Sequence, residues 1–263
     1  MSFFLPDSRL EQPHMLVPGQ KPVCPVQINW DHPLAEDLVG FWLGGSLENY
    51  ATGKIGTIVG STMAENLTAN GVGWANSGNS TNSRINLGSI PSNNPLSLAG
   101  QRKATWFTLI EWGGYTLSSA FPRVIDKSSS GSGAGGWAFY YDSGLPGWFI
   151  SLDGSNFGVS PTGEIAQPSS PELFSSGISY DLEGGISGTN IGYYSNGLLV
   201  ATKNTAVTIP TTTTNAAIGN WNHSTDRECA FPILVVAVWS GRVLNANEHL
   251  SMRRDPYQLL IPA

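Results

Sequence analysis

The stretch from residue 231 to residue 260, FPILVVAVWSGRVLNANEHLSMRRDPYQLL, decides the fold. Residues 231–239 form an almost uninterrupted apolar run that is rich in Val and Ile. The run contains Pro232 near its start and is followed by Ser240 and Gly241, and it is too short to cross a bilayer. It therefore predicts a strand that is buried on both faces at the centre of the core.

A short helix is predicted directly after this strand. Asn245 and Glu248 have the spacing of a capping box, in which each side chain accepts a hydrogen bond from the backbone N–H of the other residue. Pro256 ends the helix, because the residue before a proline is pushed out of the α region. A buried strand, a capped helix and a terminal apolar segment are typical of a closing β-sandwich, and they do not describe a catalytic site.

The composition favours one large all-β domain and argues against nucleic acid as a partner. A chain of 263 residues has the length of a large sandwich or barrel. Its 31 Gly, 17 Pro and 9 Trp suit short strands joined by tight turns, and charged residues make up only 12%. The net charge of -6 lacks the excess of Lys and Arg that phosphate binding requires.

Residues 1–33 are predicted to form an extended arm, and residues 34–263 form the sandwich domain. Prolines recur every few residues in the arm, which blocks helix and favours polyproline-like backbone. Apolar side chains predict that the arm packs along its own domain or onto a neighbouring subunit; they are Phe3, Phe4, Leu5, Met15, Leu16 and Val17. A frayed terminus is the alternative for residues 1–12.

No signal peptide is predicted at the N-terminus, since Asp7, Arg9 and Glu11 interrupt the apolar core that an export signal needs. No window is long enough for a membrane span. Cys24 and Cys229 lie far apart in the chain. Without an export signal, two reduced thiols are favoured over a disulfide between them.

Further strands are predicted where aromatic, β-branched and alternating apolar residues stand between Gly- and Ser-rich turns. They span residues 38–42, 84–87, 104–112, 123–127, 137–142, 148–153, 178–182, 191–194, 198–202 and 216–219. Asn196 and Gly197, between two apolar runs, predict a two-residue type I′ hairpin turn. Many short strands with one helix near the end indicate an all-β, antiparallel two-sheet sandwich.

These segments resemble a known family. The succession ISYDLEGG, NIGYYSNGLLVAT, NAAIGN, FPILVVAVWSGRVLNANEH and RRDPYQLLIP is similar to the C-terminal half of concanavalin A-like (laminin G-like) jelly-roll domains. The matching positions are Asn196-Gly197, Ile218-Gly219, the strand ending at Trp239, and Arg242, Leu244 and Glu248. The opening INWDHPLAEDLVGFW, residues 28–42, resembles such domains in bacteriophage-encoded proteins. The resemblance covers most of residues 28–262 and is more specific for fold than for function.

The resemblance implies a glycan-binding or particle-associated module. Family members that cleave polysaccharides carry carboxylates on alternate strand residues (E-x-D-x-x-E), which places them on one face. Asp181 and Glu183 share one face of a predicted strand, but Gly184 and Gly185 follow, so a strand entering a turn is favoured. We therefore predict no catalytic residue and no enzyme activity.

Calcium is the one cofactor that the resemblance leaves open. Jelly rolls of this kind hold it with Asp or Asn side chains and backbone carbonyls, a set without a sequence signature. Asp126, Asp142 and Asp153 are the candidate ligands. Zinc is not expected, because no two of the histidines have a metal-pair spacing; they are His14, His32, His223 and His249.

Two tryptophans are candidate platforms for a sugar ring, since an aromatic face matches the C–H face of a pyranose. Trp221 stands beside Asn222 in a polar loop, and Trp148 follows a Pro-Gly turn. A role in the core or as a loop anchor is the alternative for both, and Trp106, Trp112 and Trp239 are expected in the core.

Three functions follow from these observations. The first expectation is a non-enzymatic structural or decoration component of a phage virion, made in the host cytoplasm and attached through the arm to capsid or tail proteins. Association as a homo-oligomer or through a lattice contact accompanies this expectation. The alternative is a carbohydrate-binding module that recognises a host surface glycan. A polysaccharide-degrading enzyme ranks last, because paired carboxylates at working spacing are not visible.

Overall fold

The strands of the protein are short and numerous. A computed structural model describes residues 21–22, 25–77, 82–113, 121–129, 135–142, 147–153, 155–159, 170–221 and 227–263. For residues 147–149 and 156–159 only the backbone is described. The first strands are β1 (Val26–Ile28), β2 (Leu38–Leu43), β3 (Glu48–Asn49), β4 (Lys54–Ile55), β5 (Thr57–Val59), β6 (Met63–Thr68), β7 (Gly71–Asn76), β8 (Arg84–Ile90), β9 (Lys103–Trp112) and β10 (Arg123–Lys127).

The second half of the chain continues in the same way and adds an α-helix. Its strands are β11 (Trp137–Asp142), β12 (Gly147–Leu152), β13 (Ser155–Val159), β14 (Glu172–Asp181), β15 (Ile191–Ser195), β16 (Leu198–Lys203), β17 (Thr214–Ile218), β18 (Ile233–Ser240) and β19 (Leu260–Pro262). Helix α1 (Ala246–Arg254) follows β18, and 3-10 helices span Pro33–Ala35, Pro95–Ser97 and Pro256–Leu259. Within the described ranges, no helix has the length and hydropathy of a membrane span.

Two large sheets form the sandwich. The seven-stranded sheet has the order β13-β12-β11-β10-β17-β8-β5, and the eight-stranded sheet has the order β16-β15-β14-β9-β18-β7-β6, with β2 also paired to β18. Neighbouring strands pair antiparallel in both sheets. The predicted all-β, antiparallel sandwich with a short C-terminal helix is therefore confirmed.

Strand β18 lies at the centre of the eight-stranded sheet, as its apolar sequence predicts. It pairs with β9 on one side and with β2 and β7 on the other. Val236 and Val238 pack in the core between the sheets, whereas Val235 and Ala237 belong to a second apolar cluster on the outer side. Because both faces are buried, the strand has no need of alternating polar residues.

Helix α1 covers part of that outer side and begins at the predicted capping box. The Asn245 side chain accepts hydrogen bonds from the backbone N–H groups of Asn247 (2.9 Å) and Glu248 (3.1 Å). The Glu248 carboxylate accepts from the backbone N–H of Asn245 at 2.8 Å. Met252, on the same helix, is buried in the outer cluster. The cap and the buried methionine fix the helix on the sheet.

The predicted hairpin turn joins β15 to β16. Asn196 and Gly197 have φ angles of 48° and 83°, as a type I′ turn requires. The turn lies against α1, because a Cβ at Gly197 would come within 2.5 Å of the Leu250 Cα. Arg253 also donates from Nε to the Asn196 side chain at 3.1 Å. Hairpin and helix thus fix each other's position.

The two ends of the described chain meet on the outer side of the eight-stranded sheet. β1 pairs with β19, and the indole N–H of Trp239 donates to the Leu34 carbonyl at 2.8 Å. Cys229 is a buried free thiol, whereas Cys24 lies outside the described residues. The predicted apolar residues of the arm also lie outside the described residues; they are Phe3, Phe4, Leu5, Met15, Leu16 and Val17.

Candidate functional site

Several strands of the seven-stranded sheet begin or end at one of its edges. Arg123 at the start of β10 lies opposite Tyr140, and Asp142 at the end of β11 lies opposite Gly147 at the start of β12. The end of β13 and the end of β17 lie at the same edge. The ends of β11, β13 and β17 and the starts of β10 and β12 therefore lie at the same edge. We call this edge the loop end.

A column of rings and guanidinium groups stands on the outer face of the sheet at the loop end. The guanidinium carbon of Arg123 lies 4.2 Å from the ring centroid of Tyr140. Phe121 meets Tyr140 edge-on, with 6.2 Å between centroids, and the Arg227 guanidinium carbon lies 4.5 Å from the Phe121 centroid. Both arginines are within cation–π range. We call these four residues the ring–guanidinium column.

The column runs from the interior towards solvent. Arg123 and Tyr140 are buried, whereas Phe121 and Arg227 are only half-buried. The outer-face position of Tyr140 follows from the alternation in β11, since Phe139 packs in the core between the sheets and Tyr140 does not. The column therefore presents an aromatic ring and a guanidinium group towards the surface and is anchored by buried partners.

Carboxylates hold the inner part of the column. Asp126 Oδ2 lies 3.4 Å from Arg123 Nε, and both side chains are almost wholly buried. The pKa of Tyr140 is raised to about 12, mainly by burial; Asp142 also raises this pKa, whereas Arg123 and Arg227 lower it. Tyr140 is therefore a neutral phenol at physiological pH, and the inner charges are arranged to neutralise one another.

The predicted sugar platforms belong to the same edge. Trp221 is half-buried in the connection after β17. The backbone of Trp148 lies in β12 opposite Tyr141, at the loop end, while its side chain and all of Asn222 lie outside the described residues. Trp106, Trp112 and Trp239 are buried in the interior, as predicted. The structure thus places the backbone of both candidate tryptophans at one edge of one sheet.

The three candidate calcium ligands are not brought together. Asp126 lies opposite Ala138. Ala138 and Asp142 are four residues apart in β11, which is roughly 13 Å along the strand. Asp153 lies at the opposite end of β11, where its side chain accepts from the backbone N–H of Gly135 at 3.0 Å. Calcium needs oxygen ligands at about 2.5 Å, so the three aspartates do not share one ion. Among the described residues, no three His, Cys, Asp or Glu side chains group as metal ligands would.

The buried Ser179–His249 pair under helix α1 has a structural role. Ser179 Oγ lies 3.0 Å from His249 Nε2 and also donates to the Leu244 carbonyl at 2.9 Å. With the hydroxyl proton directed at that carbonyl, the imidazole Nε2–H is the donor to Ser179. His249 stacks on Tyr194 at 3.8 Å, and burial lowers the pKa of His249 to about 3. The pair attaches α1 to β14 and does not prepare a nucleophile.

The Asp181-Glu183 pair serves a turn, as its sequence context predicts. Asp181 Oδ1 accepts from the backbone N–H of Glu183 at 2.9 Å where β14 ends, and Gly184 follows with φ 79°. The Glu183 carboxylate forms surface ion pairs with Lys103 (3.1 Å) and Arg102 (3.3 Å). These carboxylates do not face each other across a ligand site.

Sequence reasoning missed the ring–guanidinium column and one exposed tryptophan. In β11, WAFYYD, alternation with the core residues assigns Tyr140 and Asp142 to the outer face, which was a readable signal. No sequence pattern connects Phe121 with Arg227, because the contact joins distant parts of the chain. Trp30 is 57% exposed in the turn after β1, on the side of the molecule that carries β19.

No protein-family model and no curated protein sequence matches this chain. Its fold is similar to that of domain 4 of AbnA, a GH43 extracellular arabinanase from Geobacillus stearothermophilus, which was solved in complex with arabinotriose. The TM-score is 0.55 and the sequence identity is 13%, and the match covers 82% of this chain and 98% of that chain. It is also similar to Trypanosoma rangeli sialidase, with a TM-score of 0.54 and 13% identity. That match covers 95% of this chain and 38% of the sialidase. This chain thus spans well under half of the sialidase, and at these identities the likeness shows the fold alone.

These similarities agree with the predicted concanavalin A-like fold, and they overturn the first functional expectation. The expectation of a non-enzymatic structural or decoration component of a phage virion is wrong. The similar folds reported above belong to an arabinanase and to a sialidase, and neither is a virion protein. The resemblance at residues 28–42 misled because it rests on strand and turn sequences, which report a fold and not the particle that carries it.

Proposed function

We propose that this protein is a carbohydrate-binding domain that holds a glycan at the loop end of its seven-stranded sheet. In this proposal Trp221, Phe121 and Arg227 contact the sugar, and buried Arg123 and Tyr140 position Phe121. Binding occurs without catalysis. Phe121 and Arg227 are partly exposed, and they rest on buried residues whose charges are neutralised. This support gives the rigid surface that sugar recognition needs.

The observation that carries the proposal is the outer part of the column. Arg227 lies over one face of Phe121 at 4.5 Å, and both side chains are partly open to solvent. An aromatic ring packs against the C–H groups of a sugar, and the guanidinium fork donates hydrogen bonds to its hydroxyl oxygens. Trp221 adds an indole ring at the same edge.

The structural comparisons support the ligand class. Domain 4 of the arabinanase matches over 98% of its length and was solved with arabinotriose, so a sandwich of this size is compatible with sugar binding as its own task. Sialidase contains a similar fold within a longer chain. We use arabinotriose as the neutral probe and sialyllactose as the acidic probe.

Absence of catalysis is proposed because three carboxylates near the loop end are buried; they are Asp126, Asp142 and Glu228. Glycoside hydrolysis needs two carboxyl groups about 5 to 10 Å apart on either side of the scissile bond. Asp126 is buried in its ion pair with Arg123 and has 1% of its side-chain surface exposed. A glycan at the surface of the column would reach Phe121 and Arg227 before it reached this carboxylate.

Binding of both trisaccharides to the full chain is measured by titration calorimetry, and a glycan array tests other sugars. An assay for new reducing ends then tests for catalysis. We expect binding without release of reducing ends, and Trp221→Ala should weaken it about tenfold or more, since aromatic anchors dominate such contacts. Trp30→Ala is the matched control, because Trp30 is exposed on another side of the molecule. If no glycan binds, or if the two substitutions weaken binding equally, the proposed site is contradicted. The appearance of new reducing ends would contradict the absence of catalysis.

A further inference from the structure

The chain contains two Asn-Gly pairs, and both lie at β-hairpin turns. Asn70-Gly71 belongs to the turn between β6 and β7, and Asn196-Gly197 to the turn between β15 and β16. The backbone nitrogen of a following residue can attack the amide carbon of an Asn side chain, because the attack closes a five-membered ring. A following Gly has no side chain to hinder this attack, which makes such an Asn thermolabile. The two pairs have the same local chemistry, so the fold decides which of them reacts.

The two pairs occupy different positions in their turns. Asn196 and Gly197 are the two central residues of their turn, because strand pairing stops at the residues on either side. Gly71 is instead the last residue of its turn, since it pairs with Thr68. The N–H of the last residue of a tight turn commonly donates to the carbonyl of the first, which engages the nitrogen that would attack Asn70. The nitrogen of Gly197 has no such role in its turn.

Two hydrogen-bond donors point at the side-chain oxygen of Asn196. Arg253 donates from Nε at 3.1 Å, and the backbone N–H of Ser175 donates at 3.0 Å, both to Oδ1. Attack on the amide carbon places negative charge on this oxygen, and a guanidinium group and an N–H at hydrogen-bond distance stabilise such an oxyanion. Asn196 is also exposed, so the nitrogen that is released can leave into water.

The side chain of Asn70 has the opposite surroundings. Its amide nitrogen donates to Glu111 Oε2 at 3.3 Å. A carboxylate beside the amide disfavours the negative charge that would develop on the Asn70 oxygen, because like charges repel. Turn position and electrostatics therefore both favour reaction at Asn196.

We propose that Asn196 is a site of spontaneous deamidation, promoted by the Arg253 guanidinium group and the N–H of Ser175. The backbone nitrogen of Gly197 gives its proton to the solvent and forms a bond to Asn196 Cγ. The bond between Cγ and Nδ2 then breaks, and Nδ2 takes up a proton and leaves as ammonia. Water opens the resulting cyclic imide at either of its carbonyls. The net reaction consumes a water molecule and releases ammonia, and it needs no oxidant or reductant.

Either product changes the contact between the hairpin and helix α1. Opening at the side-chain carbonyl leaves aspartate, whose carboxylate accepts stronger, charge-assisted hydrogen bonds from the same two donors. Opening at the backbone carbonyl leaves isoaspartate, which adds a CH₂ group to the main chain of a two-residue turn. Gly197 then no longer occupies the same position against Leu250. The inference is independent of the proposed sugar site.

The test is incubation of the full chain in mildly alkaline buffer, with and without urea. Chromatography and mass spectrometry of proteolytic peptides separate the asparagine, aspartate and isoaspartate forms of both turns. In the folded chain we expect Asn196 to react about tenfold or more faster than Asn70, since a single donor to an oxyanion contributes at least that much. In urea the two rates should be similar, because only the fold distinguishes the pairs. Equal rates in the folded chain, faster reaction of Asn70, or a preference for Asn196 that persists in urea would overturn the proposal.

A matched pair of substitutions on α1 isolates the guanidinium group. Arg253→Gln should slow the reaction of Asn196 about tenfold and leave that of Asn70 unchanged. Arg254→Gln is the control and should change neither rate, because Arg254 is the next residue of the same helix and is exposed. Circular dichroism checks that both variants fold. Unchanged or faster reaction of Asn196 in folded Arg253→Gln would show that the guanidinium group does not promote the attack.

Discussion

Gly177 in β14 lies beneath the imidazole of His249, where a methyl group has no room. A Cβ at this position would be 2.4 Å from His249 Nδ1. We expect Gly177→Ala to lower the free energy of unfolding by about 1 to 3 kcal/mol, as overpacking of a core does. Urea denaturation measures the loss. In a His249→Ala background the same substitution should cost much less, and an unchanged cost would show that the imidazole is not the obstacle.

His249 should also make stability depend on pH. Burial lowers its pKa from 6.5 to about 3, so the folded state holds the neutral imidazole while the unfolded chain takes up a proton below pH 6.5. Stability is therefore full above pH 6.5 and is lost as the pH falls, by about 1.4 kcal/mol per unit. Denaturation midpoints at pH 7, 6 and 5 should decline more steeply for the natural chain than for His249→Leu. Parallel declines would contradict a buried neutral imidazole.

The contact between the β15–β16 hairpin and helix α1 depends on one glycine. Gly197 has φ 83° and would bring a Cβ within 2.5 Å of Leu250, whereas Gly53 has φ 69° and open space around it. Gly53→Ala should cost about 1 kcal/mol for backbone strain alone. Gly197→Ala should cost about 1 to 3 kcal/mol more because of the steric contact. Equal losses in thermal denaturation would show that helix and hairpin do not restrain each other.

Elements that neighbouring residues determine could be predicted from the sequence, whereas the ring–guanidinium column could not. β18 follows from its apolar run, α1 from the Asn245–Glu248 capping box and the hairpin from Asn196-Gly197, because in each case neighbouring residues determine the structure. The ring–guanidinium column joins residues of different strands and connections, and its contacts exist only after the sheet has formed. Trp221 could be proposed from its polar flanks, but the contact between Arg227 and Phe121 at the same edge could not.

The whole molecule combines a closed face and an open edge. Helix α1, β1 and β19 cover the outer side of the eight-stranded sheet and bury an apolar cluster there. The outer face of the seven-stranded sheet carries the buried charges of Arg123 and Asp126 and ends in half-buried Phe121. Apolar burial stabilises the first face, whereas paired charges orient side chains on the second. Ligand binding is therefore expected on the second face.

A crystal structure of the full chain, soaked with the glycan that binds it most tightly, tests the central claim most directly. We expect sugar density at the loop end, with a ring against Trp221 or Phe121 and a hydroxyl within hydrogen-bond distance of Arg227. Sugar density elsewhere on the sandwich, with the loop end empty, would contradict it.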